Sequence, residues 1–258
     1  MIGIYFSGTG NTKHCAEYLL QMLDANAATY SIENENAIDD IPSSEEIIFA
    51  YPVYYSSLPK IVNDFIVHNA ALWTGKKIFI IATMGLFSGD GAGCAARLLK
   101  KYGAKILGGL HLVMPDCIGD VKLLKKSPEK NRKVIAKSDK KIEKTAKQIF
   151  LGKYPQNGLS FWCRLLGLFG QRLYFRKKTK RYYDGIKADT AKCIACGLCA
   201  SICPMKNIEV KDGAVKFNRK CTMCYRCFSN CPKQAITIIG NKVYEQCKFE
   251  RYTVRESP

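Results

Sequence analysis

Short apolar runs alternate with amphipathic stretches over the first 150 residues of the chain. The apolar runs predict five β-strands, at 1–6, 27–32, 45–51, 76–83 and 105–114. Between and after them, apolar residues recur at helical spacing near 12–24, 59–69, 91–102 and 129–151. This alternation predicts an α/β fold with an open, doubly wound parallel sheet of five strands. Ligands of such sheets bind at the carboxyl ends of the strands.

Three loops follow the first, third and fourth predicted strands and are therefore expected at that edge. The first, Ser7-Gly-Thr-Gly-Asn-Thr12, opens a helix, where backbone N–H groups form an anion site. The other two, 51–59 and 83–91, carry aromatic and small polar residues. Aromatic side chains on facing loops suit a planar ring, and small polar groups suit its carbonyls and nitrogens.

The first loop resembles the phosphate loop of flavodoxins, and the resemblance covers about residues 1–151. It implies FMN as the cofactor, with the phosphate bound by Ser7, Thr9, Gly10, Asn11 and Thr12. The residues that it implies around the flavin ring are Pro52, Val53, Tyr54, Tyr55, Ser56, Thr83, Met84, Gly85, Phe87, Ser88, Gly89 and Asp90. Either Tyr54 or Tyr55 is expected to stack on the ring, and the sequence leaves the choice open.

Eight of the thirteen cysteines form two copies of one spacing near the end of the chain. Each copy is C-x2-C-x2-C-x3-C-P, the bacterial spacing for [4Fe–4S] clusters, in which the fourth cysteine ligates the cluster of the other copy. The spacing predicts two clusters, one on Cys193, Cys196, Cys199 and Cys231 and one on Cys203, Cys221, Cys224 and Cys227. A zinc ribbon would need only four ligands in two separated pairs, and disulfides would need an oxidising compartment.

The segments that follow the two cysteine runs, 206–217 and 233–244, repeat as well. Each has a polar start, a short β-branched stretch, a turn and a second strand, which indicates an internal duplication. Residues 187–258 contain a region that resembles a bacterial-type two-cluster ferredoxin, a small α+β domain. The whole chain thus resembles the flavodoxin–ferredoxin fusions of anaerobic bacteria.

Residues 152–186 are expected to link the two domains. Within them, 159–175 is apolar and aromatic, and 176–181 is basic. Packing between the domains is favoured, because two small domains need a shared interface to hold their cofactors in fixed relation. Contact with a membrane surface is the alternative, since aromatic residues beside cations are typical of interfacial helices.

The formal net charge of +18 is unevenly distributed. Residues 1–120 carry 8 Lys and Arg against 12 Asp and Glu, whereas residues 121–150 carry 11 against 3. Such basic runs are expected to steer an acidic redox partner protein. No nucleic-acid recognition motif accompanies them, so nucleic acid is not an expected partner. Many cysteines without an export signal favour a reducing cytoplasm.

Electron transfer between two [4Fe–4S] clusters, FMN and a partner protein is therefore the predicted function, and no catalytic residue is assigned. No Rossmann or Walker A motif is present, so the electrons are expected from that partner. The alternative is an FMN-dependent reductase of a small acceptor such as a quinone, a sulfur species or oxygen. The direction of electron flow and the oligomeric state are left open.

Overall fold

A computed structural model describes residues 1–175 and 182–253 of the chain. Its main sheet has five parallel strands in the order β2-β1-β3-β4-β5. Their bounds are β1 Ile2–Tyr5, β2 Thr29–Ser31, β3 Glu46–Pro52, β4 Lys77–Met84 and β5 Lys105–Val113. The predicted doubly wound parallel sheet is confirmed, and each strand lies within the predicted run or within one residue of it.

Helices cover both faces of this sheet. They are α1 Asn11–Leu23, α2 Asn36–Asp40, α3 Lys60–His68, α4 Gly91–Lys101 and α5 Pro128–Phe150, with a 3₁₀ turn at Ala70–Trp73. The five-residue α2 was not predicted, because it is too short to show a helical period. The residues of β4 from Ile78 to Met84 are all buried, as expected for a parallel strand between two helical layers.

The C-terminal part contains two small antiparallel pairs and short helices. The strands are β6 Lys187–Ala188 with β9 Ile236–Thr237, and β7 Ile208–Lys211 with β8 Ala214–Phe217. The helices are α7 Leu198–Ser201, α8 Arg226–Asn230 and α9 Glu250–Thr253. This is the small ferredoxin-like domain that the cysteine spacing predicted.

The backbone repeats across the two cysteine runs. Left-handed conformations occur at equivalent positions, with φ of 51° and 57° at Ala195 and Met223 and of 47° and 48° at Lys206 and Gln234. Gly197, at φ 77°, has Tyr225 as its equivalent, at φ 58°. A tyrosine in this region is strained where glycine is not, so something must hold Tyr225 there.

Two segments continue along the flavin domain beyond the domain boundaries expected from the sequence. After residue 151 the chain pairs with β5, where the Gly109 N–H donates to Pro155 O at 2.8 Å. At the other end, the Phe249 N–H donates to Thr9 O at 2.9 Å, and Tyr252 is buried in one core cluster with residues of α1 and α5. The last described residues of the expected ferredoxin domain therefore pack on the flavin domain.

The described part of the linker contains α6 at Phe161–Gly167, followed by a π-helical stretch at Leu168–Arg172. Phe175 contacts the flavin domain by stacking on Tyr55. The basic residues 176–181 lie outside the described residues. None of the helices within 1–175 and 182–253 combines the length and apolarity needed to cross a bilayer.

Candidate functional site

A cavity of about 360 Å³ opens at the carboxyl ends of β1, β3 and β4. All three predicted loops contribute to its wall. The predicted residues that line it are Ser7, Thr9, Asn11, Thr12, Pro52, Val53, Tyr54, Tyr55, Thr83, Met84, Gly85 and Phe87. The structure therefore brings twelve of the seventeen predicted flavin-site residues to one cavity.

The five other predicted residues do not line this cavity. Ser56, within the second loop, is fully buried. The Gly10 N–H donates to Ser7 Oγ at 3.1 Å, so this residue shapes the first loop from within. Ser88 Oγ lies 2.8 Å from His111 Nδ1. Gly89 faces the linker, where an added Cβ would lie 2.5 Å from Gly167 Cα.

Asp90 supports the third loop through two ion pairs. Its fully buried carboxylate lies 2.7 Å from Arg97 Nη2 and 2.5 Å from Arg172 Nη2. Arg172 belongs to the linker, so this contact joins the linker helix to the loop beside the cavity. Two cations compensate for the burial of one carboxylate.

The first loop has the chemistry of a phosphate site. It leads into α1, whose first-turn N–H groups have no partner within the helix, and no acidic residue lies in that turn. The hydroxyls of Thr12 and Thr83 lie 2.7 Å apart at the base of the cavity. Asn11 Nδ2 donates to Pro115 O at 2.8 Å, which leaves the buried Asn11 Oδ1 without a partner in the described residues. A ligand with a phosphate and adjoining hydroxyl groups, such as FMN, fits this donor and acceptor set.

Aromatic residues gather at the other end of the cavity. Tyr55 has φ of 50°, and its ring stacks on Phe175 at 4.3 Å and on Tyr182 at 6.1 Å. All three side chains line the cavity, together with Tyr54. The sequence had not predicted Phe175 and Tyr182, because they lie in the linker, more than 100 residues after the second loop.

A fourth wall comes from the segment after β5, which sequence reasoning missed. It contributes Met114, Pro115, Asp116, Cys117 and Ile118. No motif marks this segment, although the carboxyl end of β5 reaches the same sheet edge. Asp116 Oδ1 accepts a hydrogen bond from the Ile118 N–H at 2.9 Å, and burial raises the pKa of the carboxyl.

Four cysteines converge on each of two smaller cavities in the ferredoxin-like domain. The outer cavity, on the exposed side of the domain, is lined by Cys193, Cys196, Cys199 and Cys231. The inner cavity is lined by Cys203, Cys221, Cys224 and Cys227. Each set takes three cysteines from one run and the fourth from the other. No group of three or more Cys, His, Asp or Glu side chains within 1–175 and 182–253 is spaced to hold a single metal ion.

Backbone N–H groups point at the sulfurs in a repeated pattern. Asn207 N donates to Cys203 Sγ, and Ala235 N donates to Cys231 Sγ, both at 3.3 Å. Burial raises the pKa of the Cys224 thiol to about 12. Thiolates at this site therefore need positive charge, which the irons of a cluster supply, and N–H···S bonds tune the potential of such clusters.

The inner cysteine cavity adjoins the flavin cavity. Cys224 lines both, and Met223 and Tyr225 beside it line the flavin cavity as well. Gly8 of the first loop packs on Cys224 so closely that an added Cβ would lie 2.0 Å from the Cys224 carbonyl oxygen. Arg226 Nη2 donates to Ser7 O at 2.9 Å and lies 2.6 Å from Glu33 Oε1, which ties the same region to the first loop.

Asp120 forms a second set of contacts between the domains. Its buried Oδ2 accepts hydrogen bonds from the backbone N–H groups of Ile238, Ile239 and Gly240, at 2.7, 2.9 and 3.0 Å. Its Oδ1 accepts from Tyr225 Oη at 2.9 Å. This contact explains why a tyrosine occupies the left-handed position that Gly197 fills in the first run.

Two family models match this chain. A flavodoxin domain model matches residues 2–166, and a 4Fe-4S dicluster domain model matches residues 192–236. The chain therefore belongs to the flavodoxin domain family, and the predicted fusion of a flavodoxin with a ferredoxin-type domain is confirmed. Together the two domains define an electron-transfer flavo-iron–sulfur protein, with a flavin site for FMN and a domain for iron–sulfur clusters.

Several solved structures are similar to part of this chain. The two-electron reduced flavodoxin of Megasphaera elsdenii is 26% identical over 43% of this chain and 85% of its own, with a TM-score of 0.40. A flavodoxin from the domain Archaea is 17% identical over 55% of this chain and 97% of its own, with a TM-score of 0.39. The Fusobacterium nucleatum flavodoxin bound to flavin mononucleotide is 20% identical over 55% of this chain and 96% of its own, with a TM-score of 0.34. The comparison with curated proteins found no match.

Proposed function

We propose that this protein passes electrons between a partner protein and FMN through two [4Fe–4S] clusters in series. The outer cluster is ligated by Cys193, Cys196, Cys199 and Cys231. The inner cluster is ligated by Cys203, Cys221, Cys224 and Cys227. The observation that carries the proposal is Cys224, which lines the inner cysteine cavity and the flavin cavity at once.

The flavin site binds both the phosphate and the planar ring of FMN. Ser7, Thr9 and Thr12 offer hydroxyls, and α1 offers its N-terminal N–H groups, to the phosphate. Tyr54 and Tyr55 lie where a planar ring can stack. Bound FMN accepts or gives one or two electrons, whereas each cluster carries one, so the flavin can collect electrons that arrive singly.

The partner protein meets the outer cluster. Cys196 and Ile194 are exposed there. The exposed side chains of Lys192 and Lys233 lie on the same cysteine loops, which supports a partner with an acidic surface. Rim charges of this kind act mainly on the rate of association and are screened by salt.

A test separates the two clusters. Cys196→Ser should remove the outer cluster, keep FMN and the inner cluster, and slow flavin reduction by a reduced acidic ferredoxin. Cys163→Ser is the control and should change neither the clusters nor the rate. The cofactors are followed by EPR and visible absorption in anaerobic protein, and the rate by rapid mixing. An unchanged rate after loss of the outer cluster would show that electrons reach the flavin by another route.

A second candidate is an FMN-dependent reductase of a small acceptor, such as a quinone, a sulfur species or oxygen. It is favoured by the open rim of the flavin cavity, where Leu86 and Phe87 line the cavity and are also exposed. Turnover of purified protein with an artificial donor and these acceptors distinguishes the two functions. A carrier reduces them slowly and without saturation.

A further inference from the structure

The linker helix carries a row of large apolar side chains that faces solvent. Phe161, Trp162, Leu166, Phe169 and Leu173 are 64%, 72%, 59%, 67% and 50% exposed. From Trp162 to Leu173 the row advances by four, three and four residues, the spacing of one helix face. In a surface helix such a row normally faces the core, and exposed apolar patches of this kind mark interaction sites.

The opposite side of this helix is fixed to the flavin domain. Gly167 is buried, and an added Cβ there would lie 2.4 Å from Asp90 Oδ1. Arg172 Nη2 lies 2.5 Å from the same oxygen and donates to Arg164 O at 3.2 Å. Turning the apolar row inward would break this buried ion pair, which is strongly unfavourable. These contacts therefore fix the apolar row toward solvent.

The row adjoins the mouth of the flavin cavity. An added Cβ on Gly170 would lie 3.9 Å from the ring of Phe87, which is itself exposed and lines the cavity. Phe175, at the end of the described helix, also lines the cavity. Whatever covers the row therefore also lies beside the flavin.

The charge of the surrounding sequence is positive throughout. No acidic residue occurs between Glu143 and Asp184, and residues 176–181 are Arg-Lys-Lys-Thr-Lys-Arg. Phe175 and Tyr182, on either side of this basic run, both stack on Tyr55 at the cavity. Phe175 and Tyr182 themselves therefore lie at the rim of the flavin cavity.

We propose that the exposed row, from Phe161 to Leu173, docks on the anionic lipid surface of a membrane. Tryptophan and phenylalanine side chains favour the bilayer interface, and lysine and arginine beside them are attracted to anionic headgroups. The row enters the interface, the net positive charge of the sequence around it attracts lipid phosphates, and the mouth of the flavin cavity lies next to the bilayer. This docking goes beyond the proposed function, which requires no membrane.

Flotation of the intact, cofactor-loaded protein with vesicles tests the apolar row. Vesicles of phosphatidylcholine alone are compared with vesicles that also contain phosphatidylglycerol. We expect binding to the anionic vesicles and a loss of roughly tenfold or more in partitioning for Trp162→Ser with Phe169→Ser. The matched control is Phe150→Ser, because Phe150 is also 67% exposed but is the last residue of α5, outside the row. Its partitioning should match that of the wild type.

Charge reversal tests the basic run. Lys177→Glu, Lys178→Glu and Lys180→Glu together should lower partitioning on the order of a hundredfold at low salt. The control reverses three exposed lysines of α5, which changes the net charge equally: Lys140, Lys144 and Lys147. A much smaller effect is expected from the control, because the basic run directly follows the row in the sequence and salt screens exposed charges beyond a Debye length.

Several results would overturn the membrane proposal. They are no binding to anionic vesicles, equal effects of the Phe150 and Phe169 changes, or a dimer in solution that Phe169→Ser dissociates. Binding to an acidic carrier protein that the Trp162 and Phe169 changes abolish would assign the row to a protein partner instead. FMN and iron contents of each variant show whether it has folded. Intact cofactors with failed docking would refute the membrane surface and leave the proposed electron path standing.

Discussion

Replacement of Asp120 tests how the two domains are held together. Its carboxylate accepts four hydrogen bonds, three from the backbone of residues 238–240 and one from Tyr225. Asp120 is only 2% exposed, so water cannot replace the missing acceptor. A buried donor left without a partner costs about 1–3 kcal/mol. With four donors at the lower end of that range, Asp120→Ala should lower the free energy of unfolding by about 4 kcal/mol.

Two milder variants should lower the free energy of unfolding by less. In Asp120→Asn, the amide oxygen still accepts from the backbone and the amide nitrogen can donate to Tyr225 Oη. The loss should therefore be about 1–2 kcal/mol. Tyr225→Phe removes one hydrogen bond of the four and should cost about 1–1.5 kcal/mol. Asp64→Ala is the control, since Asp64 forms a partly exposed i,i+4 pair with Lys60 and should contribute less than about 1 kcal/mol.

Anaerobic urea unfolding measures these differences, with flavin release followed by fluorescence and cluster loss by visible absorption. Asp120→Ala should shift both signals to lower urea together, because its contacts join the flavin domain to the inner cysteine cavity. The double variant with Tyr225→Phe should lose less than the two single changes combined. An Asp120→Ala protein as stable as the wild type, or a Tyr225→Phe protein as unstable as Asp120→Ala, would refute this account of the interface.

Three further changes test the cofactor sites. Thr12→Ala should weaken FMN binding to the flavin-free protein about tenfold, because a hydrogen bond to a charged group is lost. The iron content should stay the same. Unchanged affinity in a fluorescence titration would show that Thr12 does not bind the phosphate. Asp116→Asn should raise the melting temperature at pH 7, because burial raises the pKa of Asp116 and its ionisation then opposes folding. This gain should shrink as the pH falls through the raised pKa, and a gain independent of pH would contradict the burial of the charge. Cys203→Ser should damage the cluster of the second cysteine run, and loss of the first run's cluster by EPR would show that the ligands are not crossed.

The parallel sheet could be predicted from sequence because its signals are local. Each strand is a short apolar run, and each long helix has a clear period, so the element order determined the fold class. The phosphate loop was found for the same reason, since six consecutive residues carry it. The segment 114–118 was missed because it has no distinctive chemistry, and only the position of β5 in the sheet brings it to the cavity.

The contacts between the domains depend on tertiary packing. The sequence does contain one sign of them, since Tyr225 stands where the first cysteine run has Gly197. The reason for the difference is Asp120, more than 100 residues away, and no local pattern connects the two. The linker was ambiguous for a related reason. Apolar residues at helical spacing have the same pattern whether the helix turns them toward the protein or toward solvent.

The proposed electron path requires two clusters and one flavin on the same chain that exchange electrons. An anaerobic redox titration of the purified protein, followed by EPR and visible absorption with iron, sulfide and flavin analysis, tests it most directly. We expect about eight iron atoms and about one FMN per chain, and two [4Fe–4S] signals broadened by their mutual interaction. A count of about four iron atoms with a single undisturbed cluster signal, or a protein that binds no FMN, would contradict the account.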